Sequence, residues 1–493
     1  MLPRESNPFF IVCCCRSDEV DESHPFKNMC DRLSGFFVEL TMIQLDCMNK
    51  STVNKMISEL LCLPPRLVTG LTDVLYSKTK GNALFLSRLV ESLNRDGLIK
   101  LSLTKHRWVW DEERIQSIEL PADVASFFSR NIQMLSPEIQ SVLQVLACFG
   151  VLEKKEVSIL ESNLGMDLSQ PLKSAIDEGC VCIKNAAYCF SHDKFMEAVY
   201  FMVPLGERRC QHLKYARCFA KEALVNKGDC FLFAAVSQFH LAGSATVTDP
   251  VESAEIAKLN LTSGLRAIAR SNHYLAAEYC KSGRSFLNKN HWQTHYSLCI
   301  ELLKLAAQAA LALQDFDLLS VLGQQVDEHA LSFDDKVDVK IAVMTAMAYA
   351  KQIPQAISLG LSILSKLNHE LSATWTEDDI LYRSRQAQRA ITSITHEDLM
   401  NHKKMTEPRH RAAMKCLAQM QLTTFLVNPN LQPEVTLKMV NMTLSFGLCQ
   451  QSAVAFAYYA SLLLKLGEMG DAHRFAKLAK ALLAQDGSNE ITG

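Results

Sequence analysis

Nowhere in these 493 residues does Gly-Lys-Ser or Gly-Lys-Thr occur. Without a GxxxxGK[ST] loop the chain has no phosphate cradle, and the magnesium ligand and catalytic base of a nucleotide hydrolase are missing with it. Charge of one sign is lacking too: the formal net charge is -2, so no overall positive field exists to hold nucleic acid or an anionic membrane. Apolar runs are short. Residues 9–15 (Phe-Phe-Ile-Val-Cys-Cys-Cys) fall far below the ~20 residues of a membrane helix, and residues 1–8 hold no signal-peptide apolar region. No membrane span is expected, and the expected location is the cytoplasm. Paired cysteine spacing is absent as well. The 17 cysteines include no CxxC pair, so they are expected to be reduced and mostly buried, without a metal site. Cys180 and Cys182, one residue apart, are expected on one face of a strand.

What is present is apolar content, 48% of the chain, enough at this length for two or three packed units. Residues 9–15 are continuously apolar and partly β-branched, as suits a central parallel strand. Residues 38–45 are the next strand candidate. Two strands do not make a covered sheet, so the chain is expected to begin in the middle of a domain, the upstream half lying before Met1.

From Ser51, taken as an N-cap, the apolar period becomes helical through Val53, Met56, Ile57, Leu60 and Leu61, ending at Pro64-Pro65. Helices are expected over 66–77 and 82–94, then a hairpin from 97–101 and 107–110. Four helices follow, at about 121–134, 136–148, 154–162 and 168–178. Strands at 180–184 and 188–190, joined by a turn at Asn185, complete the pattern of a winged helix with a two-stranded wing.

Beyond residue 206 the pattern is almost purely helical, with spans at 206–226, 230–243, 250–271, 274–287, 292–314, 316–330, 334–351 and 354–369. A polar turn followed by an aromatic or Pro and small residues recurs at 272–277, 315–319, 353–356 and 470–473. The spacing is irregular but near the ~34 residues of tetratricopeptide units. Leu298, Leu302, Leu305, Ala309 and Ala312 form one expected core stripe. Irregular connections are expected at 375–379 and 408–410.

Four segments, in order, resemble the STAND-type signalling ATPases, whose nucleotide module resembles the origin-recognition AAA+ domain. They are Cys15-Arg16-Ser17-Asp18-Glu19-Val20 with His24-Pro25, Lys78-Thr79-Lys80-Gly81-Asn82-Ala83-Leu84-Phe85-Leu86, Trp108-Val109-Trp110-Asp111, and Phe190-Ser191-His192-Asp193-Lys194. By that resemblance Arg16 is the tip of the sensor-1 strand, where a guanidinium can pair with γ-phosphate oxygens; the other reading is a surface arginine after a strand. Gly81 and Asn82 match the Gly-Asn-Pro entrance to the lid helix, with Ala83 in place of the Pro; the other reading is a plain helix start. Asp18-Glu19 is not a Walker B pair, because Arg16 occupies the strand tip that the magnesium carboxylate would need.

The resemblance implies a mostly α protein: the C-terminal remnant of an α/β AAA+ ATPase over 1–118, a winged helix over 119–205, and a tetratricopeptide-like α-helical array over 206–493. ATP or ADP is then expected only together with the upstream half, and no metal is expected. A protein partner is expected on the array, and a parent protein would carry an upstream kinase and downstream sensor or histidine-kinase domains. Nucleic acid is not an expected partner: residues 121–192 hold Arg130, Lys154, Lys155, Lys173 and Lys184 against eight carboxylates, a poor phosphate binder. Ser191-His192-Asp193 are adjacent and cannot aim at one another as a catalytic set; a capping role for the next helix is expected. The alternative is a free-standing interaction scaffold with a vestigial lid.

Overall fold

The computed structural model describes residues 12–15, 20–21, 24–34, 40–102, 107–118, 124–226, 229–371, 376–392, 396–427 and 430–486. They are mostly helical and divide into two units, Met1–Asn131 and Ile132–Gly493.

In the first unit, α1 (Pro25–Ser34) comes first, residues 40–49 form no regular element, and α2 (Lys50–Leu60) follows. Asn49 caps α2, its Oδ1 accepting the Thr52 N–H at 2.9 Å and the Ser51 hydroxyl at 2.8 Å. The expected cap at Ser51 thus moves back two residues, because the Asn carboxamide reaches further along the turn. Val53 and Ile57, one turn apart, bury against α3 (Thr69–Thr79) and α4 (Ala83–Arg95), whose Phe85, Leu86, Leu89 and Leu93 form one stripe. The expected hairpin is present: β1 (Ile99–Ser102) pairs antiparallel with β2 (Arg107–Trp110), Ile99 opposite Trp110. Asp111 caps α5 (Glu112–Ser117). The Lys78 ammonium donates to the Gln116 and Ile118 carbonyls at 2.9 and 2.8 Å, closing the other end.

Both sheet strands expected upstream are contradicted where they can be seen. Residues 12–15 and 40–45 have no strand, and Met42, Ile43 and Leu45 are 89%, 78% and 90% exposed. A continuously apolar strand persists only when neighbours pair its edges and layers cover its faces. Among the described residues of this unit the β1–β2 hairpin is the only sheet.

α6 (Val124–Gln133) leads into the second unit, which opens with α7 (Pro137–Phe149), β3 (Val151–Glu153), α8 (Lys154–Leu164), α9 (Ser169–Asp177), β4 (Val181–Lys184), β5 (Ala187–Phe190) and α10 (Asp193–Met202). The strands form an antiparallel sheet in the order β3-β5-β4. The sheet therefore has three strands where two were expected, since β3 is too short to show a period. Asn185 and Ala186 both take positive φ, 50° and 63°, a two-residue turn whose twist suits a hairpin. Its register sets Cys182 opposite Cys189, the sulfurs 3.5 Å apart. Cys180, expected to share a strand face with Cys182, lies just before β4 and is buried. His192 caps α10, its Nδ1 accepting the Lys194 N–H at 3.1 Å.

The rest is a tetratricopeptide-like helical array: α11 (Leu205–Asn226), α12 (Asp229–Ala242), α13 (Pro250–Ala269), α14 (His273–Ser285), α15 (His291–Thr294), α16 (Tyr296–Ala312), α17 (Phe316–His329), α18 (Phe333–Tyr349), α19 (Ile353–Lys366), α20 (Glu377–Thr392), α21 (His396–Met400), α22 (Pro408–Val427), α23 (Gln432–Phe446), α24 (Ser452–Lys465) and α25 (Met469–Asp486). Its buried residues fall into successive clusters, each built by helices near one another in space, as in a quasi-one-dimensional stack. The recurrent turns start helices as expected. Ser271 and Gln314 take positive φ, and then Asn272 and Asp315 cap α14 and α17. Gly283 allows a close approach of α14 to α13: a Cβ there would lie 2.8 Å from the Asn260 Cβ.

Three details differ from expectation. The span 292–314 breaks at His295 (φ -133°, ψ 43°) into α15 and α16. α16 buries more than the expected stripe, adding Cys299, Ile300, Leu303, Ala306 and Ala310, while Ala312 is exposed; it has α13, α14, α17 and α18 around it. The connections expected at 375–379 and 408–410 are instead helix starts. Trp375 lies outside the described residues, α20 begins at Glu377, and Pro408 opens α22, where its missing N–H leaves no helical bond unmade.

Candidate functional site

The turn between α3 and α4 brings two of the three expected nucleotide-site residues together. Lys80 ends α3 in the left-handed region (φ 51°), and Gly81 follows at φ 80°. A Cβ on Gly81 would sit 1.9 Å from the Met48 carbonyl oxygen, while the Met48 N–H donates to the Gly81 carbonyl at 2.9 Å. Only glycine lets the two backbones come this close. Asn82 then caps α4, its Oδ1 accepting the Phe85 N–H at 3.0 Å and its own N–H donating to Thr79. The visible work of both residues is structural, fixing the entrance of α4 against residue 48. Arg16 lies outside the described residues.

In the second unit the strand-bearing module meets the array through a buried polar chain. The Tyr200 hydroxyl is 2.9 Å from His212 Nε2, and His212 Nδ1 is 2.7 Å from Gln238 Oε1. Gln238 Nε2 donates to the Cys148 carbonyl at 3.0 Å. That last bond fixes the directions: Gln238 Oε1 accepts from His212 Nδ1–H, and Nε2 accepts from the tyrosine. Burial and the nearby Arg208 guanidinium hold the His212 pKa below the ordinary histidine value. The neutral ring therefore links α10, α11, α12 and the end of α7.

Further along the array, a cavity of about 500 Å³ opens beside α17, α18 and α19. Ile363 and Leu359 contribute apolar lining, with Leu331, 83% exposed, and Phe333 beside them. Lys336, Lys340 and Lys366 also line it, with Asp327 the sole carboxylate among its lining residues. Lys336 donates to the Asp327 carbonyl at 2.9 Å, and Lys340 pairs with the Asp327 carboxylate. Lys366 lies 5.0 Å over the Phe333 ring, and among the described residues no carboxylate pairs with it. Sequence reading missed this site. The i, i+4 pair Lys336 and Lys340 was legible, but Lys366 joins it only through the packing of α19 on α18.

A second histidine cluster ties α19 to α22. His369 Nε2 is 2.9 Å from His410 Nδ1, and His410 Nε2 is 2.9 Å from the Glu407 carboxylate. Phe446 stacks on His410. Burial, with Lys438 and His410 adding to it, brings the His369 pKa down to about 4. Among the described residues no three His, Cys, Asp or Glu side chains converge as metal ligands, and no helix is long and apolar enough to cross a membrane.

No family model matches the chain. It is similar to the hybrid signal transduction histidine kinase G of Dictyostelium discoideum, 22% identical over an alignment that covers 91% of this chain. The chain spans about 15% of that protein's length. Among solved structures it aligns with a signal transduction ATPase with numerous domains carrying a tetratricopeptide repeat sensor, from Pyrococcus horikoshii. That alignment has 14% identity, covers 91% of this chain and 71% of the other, and has a TM-score of 0.32.

Proposed function

We propose that the chain is the regulatory and scaffolding part of a STAND-type signalling ATPase, with a lid remnant, a winged-helix coupler and an array that binds a protein partner. Its main support is that the likeness to a signal transduction histidine kinase runs along 91% of the chain, through every one of these parts. On this reading the α2–α5 bundle with its Gly81-Asn82 turn is the lid, and residues 119–205 are the coupler. Nucleotide bound with an upstream half shifts the population of closed and open arrangements, which covers or frees the array. The chain alone does not hydrolyse ATP, since it has no phosphate-binding loop. Kinase, sensor and histidine-kinase domains belong to the parent protein on this reading, and Arg16 would report the γ-phosphate.

The second reading, a free-standing scaffold with a vestigial lid, draws on one observation: the Asn82 carboxamide is already spent on capping α4. A DNA-binding role ranks last, given the excess of carboxylates over residues 121–192.

One experiment separates the first two. An antibody against the array gives the mass of the native polypeptide, and limited proteolysis of that polypeptide is compared with ATP and with ADP. A band well above 55.2 kDa whose array cleavage changes with nucleotide is the expected result. A band at that mass, cut identically in both conditions, overturns the ATPase reading in favour of the scaffold.

A further inference from the structure

We propose that the cavity beside α17, α18 and α19 binds an acidic peptide segment that also carries a large apolar side chain; this rests on the array being the partner-binding part. Charge and shape support it together. The lining sets three ammonium groups against one carboxylate, a surplus that favours an anionic occupant. The neighbouring carboxylates do not cancel it. Asp334 is held by the Arg409 guanidinium at 2.9 Å. Asp335 accepts hydrogen bonds from the Ser332 and Tyr296 hydroxyls, each at 2.7 Å.

Asp327 shows how such a site takes a carboxylate. Lys336 and Lys340 converge on its two oxygens from successive turns of α18. Each ammonium carries three donors, so both can also serve a carboxylate arriving from outside, while Lys366 supplies a third charge from α19. The apolar half of the recognition comes from Leu331, exposed at the rim, and from Leu359 and Phe333. A single anionic group would leave that apolar surface wet, whereas a peptide alternating carboxylates with apolar side chains satisfies both parts. The volume is in the range of about 300–1,000 Å³ usual for ligand sites.

The test uses the full chain and a fluorescein-labelled decapeptide alternating glutamate with leucine, read by anisotropy. Its partners are the same peptide with glutamine for glutamate, the doubly reversed variant Lys336→Glu/Lys366→Glu, the rim variant Leu331→Asp, and a remote reversal, Lys258→Glu. Circular dichroism melting confirms that each variant is folded. The expected result is binding that weakens at least tenfold in the double variant and for the glutamine peptide. It weakens severalfold with Leu331→Asp and is unchanged with Lys258→Glu. Equal affinity of the folded double variant, equal binding of the glutamine peptide, or no binding of the acidic peptide overturns the proposal. Should it fall while array proteolysis still responds to nucleotide, the array reading survives and only this groove is wrong. If the proteolysis is unresponsive and the groove still binds, the fault lies with the ATPase reading.

Discussion

Two apolar stretches of eight residues meet opposite fates. Residues 38–45 (Val-Glu-Leu-Thr-Met-Ile-Gln-Leu) leave Met42, Ile43 and Leu45 almost wholly exposed, whereas residues 453–460 (Ala-Val-Ala-Phe-Ala-Tyr-Tyr-Ala) sink Phe456 and Tyr459 completely. Composition separates them only in part, five apolar residues of eight against eight of eight; partners do the rest. A helix closes its own backbone hydrogen bonds and needs only a face to bury, and α24 finds α23 and α25 beside it. A strand needs another strand before any of its backbone is satisfied.

The sharpest way to break this contrast is paired truncation. Phe456→Ala is expected to cost about 3–5 kcal/mol in chemical unfolding, while Ile43→Ala stays within about 0.5 kcal/mol; similar losses at both sites would erase the distinction. Acid comes next. His369 titrates near 4 when folded and near 6.5 when unfolded, so the unfolded chain binds the proton first. Stability is therefore intact above pH 6.5 and declines as pH falls towards 4, by up to about 3 kcal/mol. His212 has the same sign. Denaturation midpoints at pH 7.5 and 4.5 measure the loss, and His369→Gln should flatten it.

In the first unit, Gly81→Ala forces a Cβ into the Met48 carbonyl at positive φ and is expected to cost about 2 kcal/mol or more. Hydrogen exchange should lose protection in α4 and leave α24 untouched. Asn82→Ala removes one cap and should cost about 1 kcal/mol, read in the same α4 amides. The smaller loss would place most of the turn's stability in the close backbone approach and less in the cap.

How much could be read in advance follows the same division. Apart from the break at His295, helices from 205 to 366 were legible to within three residues at their ends because their period is local, and so was the Ile99–Trp110 hairpin. Pro408 was misread because proline opens helices as readily as it ends them. Asn49 was overlooked because Ser51, nearer the apolar residues, also suits a cap. The contact of Cys182 with Cys189 was latent in the two-residue turn at Asn185 and Ala186, which fixes the register, but β3 was too short to announce itself. Gly81 and Asn82 were singled out by resemblance and stand here as a helix entrance, while the lysine groove was hidden because Lys340 and Lys366 come to line one cavity only after α19 folds back.

The buried chain from Tyr200 through His212 and Gln238 to Cys148 bears on how such proteins can be recombined. A seam drawn at residue 205 would look clean along the sequence, yet it would part a half-buried tyrosine from its histidine and leave the buried histidine and a buried main-chain carbonyl without their mates, at about 1–3 kcal/mol for each buried group. Modules traded between relatives are therefore expected to travel with α11 and α12 attached, so that inheritance is cut after Ala242, where the polar circuit is complete.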